Sequence, residues 1–458
     1  MNLTDLHRVH CLGLGGVGVS AVARLLQRRG CTVSGSDVQP SLFTADAERD
    51  GIKVFPAESA ANITADINLV IYSDACPPGH PERVAAQQHG IPQVNFAEAL
   101  GWMLAEAEQS VAVAGTNGKS TTAALLGLML TAGGLNPTVM VGSRVPGFDG
   151  NIRLGGKKFF VTEADEYRDH FLAFHPTTLV ITNIEHDHVD YFPTVAAMTA
   201  SFRKLAQHTH PQGHLIINLD DQISAKEFIH DPRAVTFSHQ QPADLQVTAI
   251  RPGPGQQEFD VAWKGQPLGT WTIHQPGLFN VMNAAAAATV ALTLGIAANV
   301  IAKVLDDFQG IWRRFEILNP GAAITIVSDY AHHPTSIRGV LKGAKQFFPG
   351  RRIILAFQPH HHHRLTSLFH FFTRAFAGAD ELIVCEVYAV PGREDQDPNE
   401  KTSQDLLGEV HHSSVHYAPD PAATEATIRE LAKPGDVVII MGAGDIWAIG
   451  PHLAADYV

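Results

Sequence analysis

The stretch Val111-Ala-Val-Ala-Gly115-Thr116-Asn117-Gly118-Lys119-Ser120-Thr121-Thr122 decides how the rest of the chain is read. Val111–Ala114 is a short apolar run that predicts a strand. Gly115 and Gly118 punctuate a turn, and an apolar helical pattern follows from Thr121 to Ala132. A strand that turns through glycine into a helix leaves backbone N–H groups and the positive end of the helix dipole facing one spot, which suits a phosphate. In that geometry Lys119 meets the outer phosphates of a nucleotide, and the Ser120 hydroxyl suits Mg2+. The common eight-residue phosphate loop has glycine where this chain has Val113. Here the glycine stands at 115, which gives a shorter form. An ordinary glycine turn before a helix would need neither the lysine nor the hydroxyls that follow it.

Upstream lies a second glycine turn. A strand at Val9–Leu12 runs into Gly13-Leu-Gly15-Gly16-Val17-Gly18, a helix continues to about Arg29, and a strand at Cys31–Gly35 ends near Asp37. This spacing can hold the pyrophosphate of any nucleotide, and taken alone it also fits a nicotinamide dinucleotide. Downstream of the phosphate loop, strands are expected at Phe159–Thr162, Thr178–Asn183 and His214–Asn218. Residues 235–275 read as an antiparallel appendage, and the Ala-rich run Val281–Leu294 as a buried helix. Beyond Arg313, strands at Ile324–Asp329, Ile353–Phe357, Glu381–Glu386 and Val437–Met441 alternate with helical patterns. Such alternation predicts parallel α/β sheets. Three units are expected, 1–108, 109–312 and 313–458.

At 458 residues the chain exceeds one ordinary core. A formal net charge of −13 excludes a general nucleic-acid or anionic-membrane binder, because both need a positive footprint. Cys11, Cys31, Cys76 and Cys385 are scattered without a CxxC pair, which argues against a zinc site or a disulfide framework. No apolar run is long enough to span a bilayer and no hydrophobic leader is evident. A cytoplasmic protein is expected, either a monomer or a homodimer.

Further blocks occur in order along the chain: Glu163-Ala-Asp-Glu166, Thr182-Asn183-Ile-Glu-His-Asp187-His188-Val-Asp190, and Asn280 with Asn283 in GLFNVMNAAAAA. Arg313-Arg314-Phe315, Ser328-Asp329-Tyr330-Ala-His332-His333-Pro-Thr335 and Phe357-Gln-Pro-His360-His-His-His-Arg364 follow. Together with GTNGKSTT they resemble the Mur ligases, which join an amino acid to a UDP-sugar carboxylate at the expense of ATP. The resemblance implies an α/β protein of three domains: a Rossmann-like N-terminal domain, a central P-loop ATPase domain and a Rossmann-like C-terminal domain. It implies catalytic roles for Lys119, Glu163, His188, Arg314 and His332, with Arg313 the alternative to its neighbour. ATP would meet Gly115, Thr116, Asn117, Gly118, Lys119, Ser120, Thr121, Asn280, Asn283, Arg314 and Asp329. The UDP-sugar would meet Gly15, Gly16, Val17, Gly18, Ser20, Asp37 and Ser73. The amino acid would meet Tyr330, His332, His360 and Arg364, and Mg2+ would be held by Ser120, Glu163 and His188.

Within the family, the first glycine loop and the His-His-Pro-Thr block resemble the branch acting on UDP-N-acetylmuramate. That implies UDP-N-acetylmuramate, ATP and L-alanine as substrates and an acyl phosphate between them, with a preformed tripeptide as the alternative acceptor. The chain departs from the branch pattern at Asn117, usually histidine, at His361, often arginine, and at Tyr167-Arg168 after Glu166. A nicotinamide oxidoreductase built on the first loop is the competing class. Of the run His360–His363, His360 is expected at the site and the others in solvent. Asp187 and Asp190 either serve the site or brace its loop. Lys204 is expected on a helix surface, with Val195, Met198, Phe202 and Leu205 as that helix's buried stripe.

Overall fold

A computed structural model describes residues 6–389 and 400–457. Its strands form three sheets that follow one another along the chain. In the first, Arg8–Leu12 is central. Thr32–Ser36 and Lys53–Phe55 lie to one side, Leu69–Tyr72 and Gln93–Asn95 to the other, all parallel. Strand order reverses at the central strand, so the Gly13–Gly18 turn opens at the crevice where such sheets bind ligands.

The second sheet has ten strands. Gln109–Ala114 lies between Thr178–Ile181 and Phe159–Glu163, parallel to both. The phosphate loop, Glu163 and the Thr182–Asn183 turn therefore leave the sheet side by side. The antiparallel appendage starts later than the sequence suggests. Ala234–Ser238 pairs parallel with His214–Asn218 and extends the main sheet. Antiparallel pairing in this region begins with Leu245–Gly253, which pairs so with Gln256–Trp263, and that in turn with Gln266–Ile273. The helix after the phosphate loop, Lys119–Ala132, packs on Leu278–Thr293, whose small alanines let the two buried helices approach closely.

The third sheet runs in the order Glu316–Ile317, Thr325–Asp329, Val437–Met441, Ile353–Phe357, Glu381–Cys385 and Val415–Ala418. All its pairings are parallel except the first. It has its own apolar core on each face. The first two units instead share one core, in which Leu100, Met103 and Leu104 meet Phe171, Phe174 and Phe202. Gly101 lies where the helix Phe96–Ala105 meets the Ala173 carbonyl so closely that any β-carbon would collide. On the helix Val195–His208, Met198, Phe202 and Leu205 are buried as expected, and Lys204 is exposed. Val195 is not part of that stripe. It is 38% exposed, because the helix begins before it reaches the core.

Candidate active site

The phosphate loop is held from beneath by the neighbouring strand end. Thr182 donates from its hydroxyl to the Asn117 carbonyl at 2.6 Å, the Asn117 N–H donates to Asn183 Oδ1 at 3.0 Å, and Thr116 Oγ1 donates to the Glu185 carbonyl at 2.9 Å. Gly118 takes φ +90° at the start of the helix and abuts the Asn283 side chain, so both conformation and space require glycine there. Lys119 Nζ donates to the Gly115 carbonyl at 2.7 Å and to both Glu166 oxygens at 2.8 and 3.0 Å. Burial works against its charge, but Glu166, Asp165 and Glu163 outweigh it and hold the ammonium above its usual range.

Two clusters of potential cation ligands flank this lysine. Ser120 Oγ donates to Glu163 Oε2 at 3.0 Å, and Arg314 Nη2 approaches the same hydroxyl at 3.4 Å. Burial pushes the Glu163 carboxyl up, opposed by the Gly142 N–H and by Arg314. Beside it, Asp165, Glu166 and His188 place their ligand atoms within 4.8 Å of one another. His188 Nε2 lies 3.7 Å from Glu166 Oε1. Hydroxyl and carboxylate oxygens are the donors that Mg2+ prefers, so Ser120 and Glu163 fit that ion, as do the carboxylates of Asp165 and Glu166, while the His188 imidazole is a less usual ligand for it. The contact of His188 is thus with Glu166, the last residue of the Glu163–Glu166 block, itself given no site role.

The third unit closes the cleft from the opposite side. Tyr330, His332, His360 and Arg364 all line it. His332 Nδ1 lies 2.9 Å from the Tyr330 carbonyl, which only accepts, so Nδ1 carries the proton and Nε2 the lone pair. Burial, then the nearby Arg364, keeps this imidazole well below its usual pKa. Arg364 donates to Asp187 through Nη2 at 3.0 Å and Nε at 3.2 Å. Ser336 donates to Asn117 Oδ1 at 2.7 Å, so the departure at 117 is itself a bond between the units. Arg314 lies over the Tyr330 ring, 4.6 Å from its centroid. Arg313 is buried and donates to the Gly442 and Gly444 carbonyls, so of this pair Arg314 is the one that lines the cleft. Asn280 and Asn283 also line the cleft, with the Asn280 amide anchored to the Pro276 carbonyl at 2.8 Å.

Several expected site residues have structural partners instead. Ser20 is wholly buried and donates to the Phe43 carbonyl at 3.0 Å, so its hydroxyl does not reach the cleft. Asp37 Oδ2 accepts from Gly15 N–H at 2.7 Å and Oδ1 from Gln39 N–H at 2.9 Å, which shapes the glycine loop from behind. Asp329 lines the cleft, but its oxygens accept from the Phe315 and Ala331 N–H groups at 2.8 and 2.7 Å and brace that junction. Val17, Gly18 and Ser73 do face the cleft. His361, expected in solvent, is buried. Asp187, expected either to serve the site or to brace its loop, lines the cleft, whereas Glu166, Asn183, Glu185 and Ser336 were missed as site residues. All but Ser336 sit inside quoted motifs; Ser336 stands one place beyond one.

Fold and site together describe a three-domain α/β enzyme whose phosphate loop opens into a cleft lined by all three units. Family models match almost end to end: Mur ligase family, catalytic domain, over residues 8–108; Mur ligase middle domain over 113–291; and Mur ligase, glutamate ligase domain, over 313–444. The chain belongs to the Mur ligase family and is an ATP-dependent ligase. The UDP-N-acetylmuramate–L-alanine ligase of Desulfosudis oleivorans is 35% identical over 97% of each chain. That of Salinibacter ruber is 38% identical over 97% of this chain and 94% of its own. The crystal structure of the UDP-N-acetylmuramate–alanine ligase of Thermotoga maritima superposes with a TM-score of 0.83 at 28% identity, covering 98% of this chain and 99% of that one. The murein peptide ligase of Psychrobacter arcticus shares the fold, with a TM-score of 0.74 at 23% identity over 99% of each chain. Family membership disposes of the oxidoreductase reading of the first glycine loop. Among the described residues, no helix is long and apolar enough to cross a membrane.

Proposed function

We propose that the protein joins L-alanine to the carboxylate of UDP-N-acetylmuramate, with ATP activating that carboxylate as an acyl phosphate. UDP-sugar, ATP and amino acid are taken by residues 1–108, 109–312 and 313–458 respectively. One observation carries the reading. A single cavity of about 1350 Å3 is lined by Gly18 and Ser73 of the first unit, by Lys119, Ser120 and Glu163 of the second, and by His332, His360 and Arg364 of the third. Three ligands can meet there.

The sugar carboxylate attacks the γ-phosphorus and ADP leaves. The amine then attacks the acyl carbon and phosphate leaves with the former carboxylate oxygen. Lys119 releases Glu166 to meet the transferring phosphoryl group, and Arg314 adds charge to it as the third unit closes. Ser120 and Glu163, with His188 beside Glu166, would hold Mg2+, which supplies charge neutralisation to the phosphates. His332 offers its Nε2 lone pair to the nitrogen proton that becomes acidic as the C–N bond forms. Closing the cleft keeps water from the acyl phosphate.

An amino-acid screen of phosphate release tests this. Release should require ATP, UDP-N-acetylmuramate and L-alanine together, with glycine and serine used poorly, since a missing or extra small group is worth only about 1–3 kcal/mol. A much higher kcat/KM for the tripeptide than for L-alanine would overturn it.

A further inference from the structure

An α-amino acid enters as a zwitterion, and Arg364 answers only its negative end. Asp187 stands beside Arg364, on the turn that follows the strand Thr178–Ile181. The residue is 5% exposed and lines the cleft. Its two oxygens are unequally used. Oδ1 accepts from the His188 N–H at 2.7 Å, from Arg364 Nη2 at 3.0 Å and from Arg364 Nε at 3.2 Å. Oδ2 accepts nothing from the described residues. The Arg364 guanidinium, bonded to this carboxyl through two of its nitrogens, pairs with it as a carboxylate. A buried, ionised carboxylate with one open oxygen is costly unless something positive arrives to use it.

Arg364 is also half used. Its Nε–Nη2 edge faces Asp187, and Nη1 lies 3.3 Å from His360 Nδ1. The Nη1–Nη2 edge remains for a carboxylate. Asp187 and Arg364 come from different units, so the pair forms only when the third unit sits against the second.

We propose that Asp187 and Arg364 are a two-ended clamp for the free amino acid, with the guanidinium edge taking the α-carboxylate and Asp187 Oδ2 accepting from the α-ammonium. The proposal rests on the ligase reading above. It gives Asp187 direct contact with substrate and favours a single amino acid over a peptide, whose carboxylate lies farther from its ammonium.

Asp187→Asn keeps the shape and an acceptor for the His188 N–H while removing the charge. Three quantities are measured: KM for L-alanine, inhibition by L-alaninamide, which lacks the carboxylate, and inhibition by propionate, which lacks the amine. The variant should raise the alanine KM about 10- to 100-fold. It should weaken alaninamide by a similar factor and leave propionate no weaker, with the KM for ATP unchanged. A rise for alanine without a rise for alaninamide would reduce Asp187 to a brace for Arg364 and overturn the clamp. So would an unchanged alanine KM. Should the variant not fold, the wild type still decides: alaninamide and propionate should both compete with alanine, and failure of alaninamide to do so overturns the proposal. Absence of alanine-dependent phosphate release in the wild type defeats the ligase reading and the clamp with it. Release that is indifferent to Asp187 defeats the clamp alone.

Discussion

The two junctions between units are built differently. The first unit meets the second through a shared apolar core and a buried ionic cluster. Arg24, fully buried, pairs with Asp50 at 2.8 Å and with Asp149 of the central unit at 3.2 Å. Arg28 and Arg49 also reach Asp149, Arg144 reaches back to Asp46, and His170 meets Asp74 at 2.6 Å. The third unit has separate cores. Its helix Pro334–Phe347 packs on the central unit at Pro276 and Gly277, and at the site itself the contacts are single polar ones: Ser336 to Asn117, Arg364 to Asp187, Arg314 to Ser120, and His333 to Glu185 at 3.8 Å. Nearly all of these involve groups assigned to substrates. A junction that must open for ligands uses bonds the ligands can replace, whereas one that only positions a site can be buried for good. The first junction is a fixed joint and the second a working one.

The largest effect should come from Lys119→Ala. Turnover should fall on the order of 1000-fold or more, while UDP-sugar affinity measured by calorimetry stays near the wild-type value. A loss below about tenfold would remove the reacting ATP from this loop. Arg24→Met, at the fixed joint, should cost about 3–5 kcal/mol of stability, because Asp50, Asp149 and Asp46, the last 3.7 Å away, lose a buried cation. Denaturant titration reads this. A near-neutral result would mean that the apolar core alone holds the two units.

Acid should loosen the working joint first. His332 and His333 are both held below their ordinary pKa of 6.5 by burial, with Asp187 partly opposing. Separated units take up protons there near pH 6.5 while docked ones do not, so docking is full above that pH and weakens as pH falls through it. Asp187, also depressed, acts in the same sense at lower pH; Glu185, raised by burial, acts oppositely. Scattering or inter-unit fluorescence transfer from pH 8 to 5 should show the third unit separating before global unfolding. The smallest effect should be that of Ser336→Ala. It removes one bond, worth about 0.5–1.5 kcal/mol, and should raise the KM for ATP no more than about tenfold. A change confined to the UDP-sugar would contradict the placement of Asn117 on the ATP side.

The contrast between the joints also explains what the sequence could reveal. The phosphate loop is contiguous, and its glycines, lysine and hydroxyls state their geometry in eight adjacent letters. The three α/β units were readable because each strand is a short apolar run between turns. The buried Arg24–Asp149 pairing was not, because its members are 125 residues apart and charged residues on a helix read as solvated. Ser20 was misjudged for a related reason. A hydroxyl behind a glycine loop suggests a ligand, and nothing local reveals the Phe43 carbonyl that takes it. Asp187 was visible as a motif letter, but its role depends on an arginine from another unit. His361 was read as solvated from its neighbours in a histidine run, yet its backbone turns the side chain inward ahead of the helix His362–Ser367.

A sugar carboxylate phosphorylated by ATP in this cleft and then captured by alanine gives up one of its oxygens to phosphate. UDP-N-acetylmuramate labelled with oxygen-18 in its carboxylate, incubated with the enzyme, ATP and L-alanine, tests this directly. Each phosphate released should carry one labelled oxygen, and an equal amount of alanyl amide should form. Unlabelled phosphate, or phosphate released without amide, would contradict it.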